Sequence, residues 1–115
     1  MKKLLIAVLF ILMSSFLNAA YYYGAIAINP QTGATGYSYD YGSRYNAERA
    51  ALNYCKGSCR IAIYFWNTCA SVAWSPRTKA YGWYYAGNMS ETKRGAVRKC
   101  GYNDCRVVSS VCTTR

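Results

Sequence analysis

The chain repeats itself, and each copy carries a matched pair of cysteines. "YCKGSCRIAI" (54–63) and "KCGYNDCRVV" (99–108) both hold two cysteines a few residues apart, an arginine directly after the second, and a short apolar run. Laying residues 24–60 over 70–106, at an offset of about 46, extends the likeness. "NPQTGATGYSY" (29–39) falls on "SPRTKAYGWYY" (75–85), with Pro30 on Pro76, Thr32 on Thr78, Gly36 on Gly82 and Tyr39 on Tyr85. "SRYNAERAALNYC" (43–55) falls on "NMSETKRGAVRKC" (88–100), Cys59-Arg60 falls on Cys105-Arg106, and Cys69 is matched with Cys112. A chain of 115 residues with this pattern must make one structure from two similar halves.

Each copy reads strand, turn, strand, helix, strand. The first strand is short and apolar, "GAIAI" (24–28) or "ASVAW" (70–74), and a proline turn follows it. In "YSYDY" (37–41), Tyr37, Tyr39 and Tyr41 alternate with Ser38 and Asp40, which predicts a tyrosine face. Ser43 and Asn88 stand at matching helix N-caps, and Glu91 follows Asn88 at capping-box spacing. Helical spacing predicts buried stripes of Ala51, Leu52 and Cys55 in the first helix, and of Lys93, Ala96, Val97 and Cys100 in the second. The last strand is "RIAIYFW" (60–66) or "RVVSSV" (106–111). The expected fold is α+β: a duplicated β-β-α-β unit, about six mostly antiparallel strands with two short helices, stapled by disulfides. The two repeats run over about 23–66 and 69–112.

Residues 1–20 read as a leader rather than as part of that domain. Lys2 and Lys3 precede an apolar run from Leu4 to Met13, and the small residues Ala19-Ala20 close the segment. That order is the signature of a cleaved secretory signal peptide, with the cut expected after Ala20. Ten apolar residues fall short of the roughly 20 needed to span a membrane, and no later segment offers a span. The remaining 21–115 suits a single domain. An exported chain this small buries a marginal core, so an even count of six cysteines reads as a covalent framework.

The pattern resembles a bacterial exported family, domain of unknown function number 4189. The resemblance rests on "YGAIA" (23–27), "GYSYDYGSRYNAERAAL" (36–52), the cysteine-arginine steps and "YGWYY" (81–85). The second half departs most, where Thr92-Lys93-Arg94-Gly95 replaces the acidic, alanine-rich helix start of the first. Membership implies export and this fold; it implies no agreed activity and no functional residues.

Metal and redox chemistry fit the cysteines poorly. The pairs are separated by three and four residues, which is wrong for a Cys-x-x-Cys redox motif, and no histidine is present to complete a mixed zinc site. Six cysteines allow 15 pairings, and the duplication narrows them. Cys55–Cys59 and Cys100–Cys105 each pin a helix end to the next strand, and Cys69–Cys112 is left to join the two halves. By loop entropy the local bridges contribute roughly 2 kcal/mol each and the long one about 4 kcal/mol.

The remaining chemistry is sparse. No catalytic residue, metal site or cofactor is expected: the four acidic residues are single and scattered, and Gly33 and Gly36 serve a turn rather than a phosphate cradle. Asp104, beside Cys105, suits a turn. Trp66 and Trp74 lie in apolar runs that predict core positions, and Arg60 and Arg106 suit anchors for carbonyls at the stapled corners. What is left is surface. Removing Lys2 and Lys3 from the 14 Lys and Arg leaves 12, against four acidic residues, a net of about +8. "RTKAYGWYY" (77–85) interleaves Arg77 and Lys79 with Tyr81, Trp83 and Tyr85, a candidate stacking and charge platform. Arg94 and Arg98, one turn apart with Lys93 and Lys99 beside them, form a second basic face; a solvated helix surface accounts for it adequately.

The function expected is that of a small non-catalytic binding protein, periplasmic or secreted, whose basic, tyrosine-rich surface meets a protein or an anionic envelope or glycan partner. Nucleotides are excluded as partners and nucleic acid is disfavoured. The alternative is an immunity or inhibitor protein against an envelope-acting toxin enzyme, or a secreted effector. Peptide mapping of the non-reduced protein is expected to find Cys55–Cys59, Cys100–Cys105 and Cys69–Cys112; a Cys55–Cys100 peptide would contradict the pairing.

Overall fold

A computed structural model describes residues 21–115, so the expected signal peptide lies outside the described residues. The elements alternate as in the duplicated pattern: β1 (Tyr23–Ile28), β2 (Thr35–Tyr41), α1 (Arg44–Tyr54), β3 (Arg60–Trp66), then β4 (Cys69–Trp74), β5 (Tyr81–Ala86), α2 (Met89–Cys100) and β6 (Arg106–Cys112). Each repeat closes its own antiparallel three-stranded sheet, β2-β1-β3 and β5-β4-β6, with the first strand in the middle. Among the described residues no helix is long and apolar enough to cross a membrane.

The central strands explain the layering. β1 and β4 are buried on both faces, and their side chains alternate between two jobs. Ile26 and Ile28 of β1 meet Ala70, Val72 and Trp74 of β4, with Ile63, Phe65 and Val111 filling the space between the sheets. Ala25 and Ala27 point the other way, onto Ala47 and Ala51 of α1. Ala73 likewise meets Ala96 and Cys100 of α2. The result is four layers, helix on sheet on sheet on helix, around a pseudo-twofold axis.

Glycine sets how close each helix comes. A Cβ on Gly36 would run into the carbonyl oxygen of Ala51, and one on Gly82 into the backbone nitrogen of Cys100. Gly36 therefore lies within β2 as a helix seat, whereas Gly33, at φ 79°, serves the turn. The buried stripes correct the expected ones accordingly. They are Ala47 and Ala51 in α1, and Thr92, Gly95, Ala96 and Cys100 in α2, while Leu52 and Lys93 face outward. Ser43 and Asn88 cap the helices, accepting from Asn46 N at 3.1 Å and Glu91 N at 2.8 Å.

Polar groups under the helices are paired. Ser38 Oγ donates to Ala47 O at 2.7 Å, and Ser71 Oγ bonds both Thr92 Oγ1 at 2.8 Å and Ser110 Oγ at 2.7 Å. The tyrosine face of β2 is shorter than its alternation suggested. Asp40 sits at φ 61° where the register with β1 shifts, so Tyr37 and Tyr39 stay exposed and stacked while Tyr41 turns toward α1.

The three disulfides are Cys55–Cys59, Cys100–Cys105 and Cys69–Cys112. The last does not join the halves, because Cys69 and Cys112 face each other across β4 and β6 within the second sheet. At the offset of 46, their counterparts are Tyr23 and Trp66, which face each other across β1 and β3 with ring centroids 6.4 Å apart. An aromatic pair thus stands in one sheet where a covalent bond stands in the other.

Gly82→Ala is expected to destabilise by about 2 kcal/mol through overpacking, a fall in Tm on the order of 10 °C for a domain this size. Gly87→Ala, whose Cβ would meet nothing within 4 Å, should leave the thermal melt nearly unchanged. Equal melts for the two variants would contradict the helix-seat account.

Candidate functional site

The two sheets meet along two seams related by the pseudo-twofold, β2 beside β6 and β3 beside β5. The first is stitched: Asp40 accepts from Thr114 N at 3.0 Å and Thr114 Oγ1 at 2.7 Å, and Thr35 Oγ1 donates to Val108 O at 3.5 Å. In the second, Thr68 takes the place of Thr114 and Ala86 that of Asp40. Thr68 Oγ1 donates to Ala86 O at 2.8 Å. That bond closes one end of the β3–β5 seam, and the rest of it opens into a groove of about 660 Å³. A smaller groove, about 430 Å³, follows β2.

The larger groove has two unlike walls. All six residues 61–66 of β3 line it, whereas β5 contributes only Trp83 and Tyr85. Consecutive strand residues point to opposite faces, so a run of six can line a groove only if the groove follows the strand's backbone edge. β5 instead presents a side-chain face. Ala62 and Phe65 turn inward toward the core between the sheets. On the α1 side, Tyr64 and Trp66 stack with centroids 6.1 Å apart, and Arg44 holds its guanidinium 3.7 Å from the Tyr64 ring centroid. Arg44 Nε also meets Glu48 Oε2 at 3.3 Å on the groove's rim.

The sequence-derived candidates divide here. Trp83 and Tyr85 come together at the groove, 44% and 59% exposed. Tyr81, on the same strand, is half-buried against the core. Arg77 and Lys79 belong to the β4–β5 turn, where Arg77 lies 5.8 Å from the Tyr102 ring and Lys79 Nζ 5.2 Å from the Trp74 ring. Arg94 and Arg98 are exposed on α2, which packs on the opposite face of the sheet: Gly95 seats the Tyr84 ring there, and Arg98 lies 5.8 Å from that ring.

Three groups missed by sequence reasoning complete the site. Trp66, expected in the core, is 48% exposed at the groove, and Arg44 and Tyr64 stand beside it. The signal available for Trp66 was its place at the end of an outer strand, where no neighbouring strand covers it. Trp74 is the tryptophan that is buried, at 4% exposure, with Nε1 donating to Pro30 O at 2.7 Å. Arg106 lies 5.7 Å over the Trp74 ring rather than on a carbonyl.

A family model described as domain of unknown function (DUF4189) matches residues 23–112. The chain belongs to that family. The matched span includes both repeats and every residue of the groove, so the aromatic seam is part of the DUF4189 domain and not an appendage. Comparison with curated proteins and with solved structures returned no match. Among the described residues no cluster of three or more His, Cys, Asp or Glu is placed to hold a metal ion.

Asp104 ties two loops together. It accepts from Ser75 Oγ at 2.7 Å and from Arg77 N at 3.1 Å, joining the second disulfide loop to the β4–β5 turn. In the first repeat, Asn29 Nδ2 makes the equivalent tie to Lys56 O at 3.2 Å. The Ser75 hydrogen bond, aided by Arg77, holds the Asp104 carboxyl below the ordinary range. With the folded pKa below the unfolded one, the stabilisation is complete above the usual carboxylate value of about 3.9. It is lost as pH falls through the lowered folded value. Ser75→Ala should move the NMR titration midpoint of Asp104 upward, and an unmoved midpoint would assign the shift to another group.

Proposed function

We propose that this protein is a non-catalytic binding protein, periplasmic or secreted, that holds a protein or anionic partner in the groove between β3 and β5. The observation that carries the reading is the gathering of exposed aromatic surface at one open seam, where Trp66, Trp83 and Tyr85 are each about half exposed. Large aromatic side chains supply contact area at low entropic cost, and binding energy concentrates on them. A groove open to the ends of two sheets offers such contacts without rearrangement of the core.

The acidic and thiol groups are engaged in contacts within the fold, which supports binding over catalysis. Asp40, Glu48, Glu91 and Asp104 each hold a contact within the fold, and the six cysteines form three disulfides. Those disulfides are consistent with an exported protein. Histidine is absent from the sequence, and the carboxylate that lines the groove, Glu48, is engaged by Arg44. The net charge of about +8 acts at longer range, drawing a polyanionic or acidic partner toward the surface. Arg94 and Arg98, on the far side of the second sheet, contribute to that field rather than to contact.

The test is retention of a partner from envelope and culture-medium fractions by immobilised wild-type protein, Trp83→Ala and the double variant Arg94→Glu/Arg98→Glu. Trp83→Ala should lose at least tenfold of the retained partner while its Tm stays within a few degrees of wild type. The double variant should hold the partner at high salt and lose much of the salt dependence. Equal retention by Trp83→Ala and wild type would remove the groove from the binding surface.

A further inference from the structure

We infer that the groove takes an extended peptide segment, acidic on one face and apolar on the other, which adds to β3 as a fourth strand of the first sheet. The inference rests on the groove being the binding site, and it specifies how that site is filled.

The backbone is arranged for it. β3 is the outer strand of its sheet, hydrogen-bonded to β1 on one side only. Asn67 N donates to Tyr22 O at 3.1 Å, which makes that pair a hydrogen-bonded one. Hydrogen-bonded and non-hydrogen-bonded pairs alternate along an antiparallel ladder. Gly24 and Phe65 are then bonded to each other, while the backbone groups of Tyr64 and Trp66 turn away from β1 toward the groove. The register shifts by one beyond Ile63, at Ala62, so residues 63–66 form the regular open edge. At about 3.3 Å per residue, that edge with its flanks accommodates five or six residues of a partner strand. The β2 edge is less suited, because it carries the Asp40 bulge and is tied to the C-terminal segment, and bulges protect an edge from pairing.

The side chains specify the occupant. A strand added to β3 sends alternate residues to two faces. One face meets Trp83 and Tyr85 beside Phe65, which calls for apolar side chains. The other meets Arg44, fixed on the Tyr64 ring with Nε on Glu48 and no other hydrogen bond among the described residues, which calls for carboxylates. Arg44–Glu48 is the one salt bridge among the described residues, so the positive surplus stands largely uncompensated. The same surplus opposes a second copy of this chain as the occupant, since two surfaces of about +8 repel.

The probe is a capped octapeptide of alternating Val and Glu, titrated into the oxidised exported protein and followed by amide NMR and tryptophan fluorescence. Binding is expected with amide shifts along 63–66. It should weaken at least tenfold when alternate peptide nitrogens are methylated in one of the two frames, with the other frame tolerated. It should also weaken severalfold for Arg44→Gln and for an alternating Val and Lys peptide. Absence of binding at millimolar peptide, or binding indifferent to methylation in both frames, would overturn strand addition. A natural partner still lost on Trp83→Ala would leave the groove reading standing. Preference for the Val and Lys peptide would overturn the acidic occupant. Concentration-dependent amide shifts along 63–66 without peptide would assign the edge to a second copy instead.

Discussion

The fold depends on two places where a helix backbone rests directly on a strand. At Gly36 and Gly82 there is no side chain between the sheet and the last turn of the helix above it. That approach favours alanine at the closest points between helix and sheet, and Ala25, Ala27, Ala47, Ala51, Ala73 and Ala96 are fully buried there. The large, fully buried apolar side chains lie between the sheets, while Tyr41, Ile61, Tyr64 and Tyr84 pack partly buried around the alanines under the helices. Each helix is then fixed at its end by the disulfide that follows at once, Cys55–Cys59 or Cys100–Cys105. The local bridges close short loops, so their effect on chain entropy is modest; their consequence here is to hold the helix end over its glycine.

The open groove arises where the two halves fail to match. Both seams carry a pair of aromatic residues on the outer strand, Tyr37 and Tyr39 in one and Trp83 and Tyr85 in the other, related by the offset of 46. Both are anchored at one end by a threonine, Thr114 on Asp40 and Thr68 on Ala86. The β2–β6 seam carries a further bond, from Thr35 to Val108, whereas the β3–β5 seam opens beside an unpaired edge. The cross-strand position that is a disulfide in the second sheet is Tyr23–Trp66 in the first, and this substitution brings a tryptophan to the groove.

Much of this architecture was legible in the sequence, because the signals are local or repeated. The duplication gave the order of elements, the N-caps followed from Ser43 and Asn88, and the even cysteine count pointed to staples. What escaped was what depends on which strand lies outermost. Trp66 and Trp74 sit in similar apolar runs, yet one ends an edge strand and the other a central one, so one is exposed and the other buried. Tyr41 was misplaced because one residue in the left-handed region, Asp40, turns every later side chain to the other face. Matching Cys69 with Cys112 concealed that the true counterparts are aromatic. The two basic stretches were legible separately, and the turn and the helix carry them to different sides of the molecule.

The central claim is that β3 offers a free backbone edge at the β3–β5 seam, and hydrogen exchange of the unliganded protein tests it most directly. An alternating pattern is predicted along β3, with the amides of Ile63 and Phe65 slow because they face β1, and those of Tyr64 and Trp66 near the rate of unprotected chain. Slow exchange at all four positions would show the edge to be covered and would contradict the account.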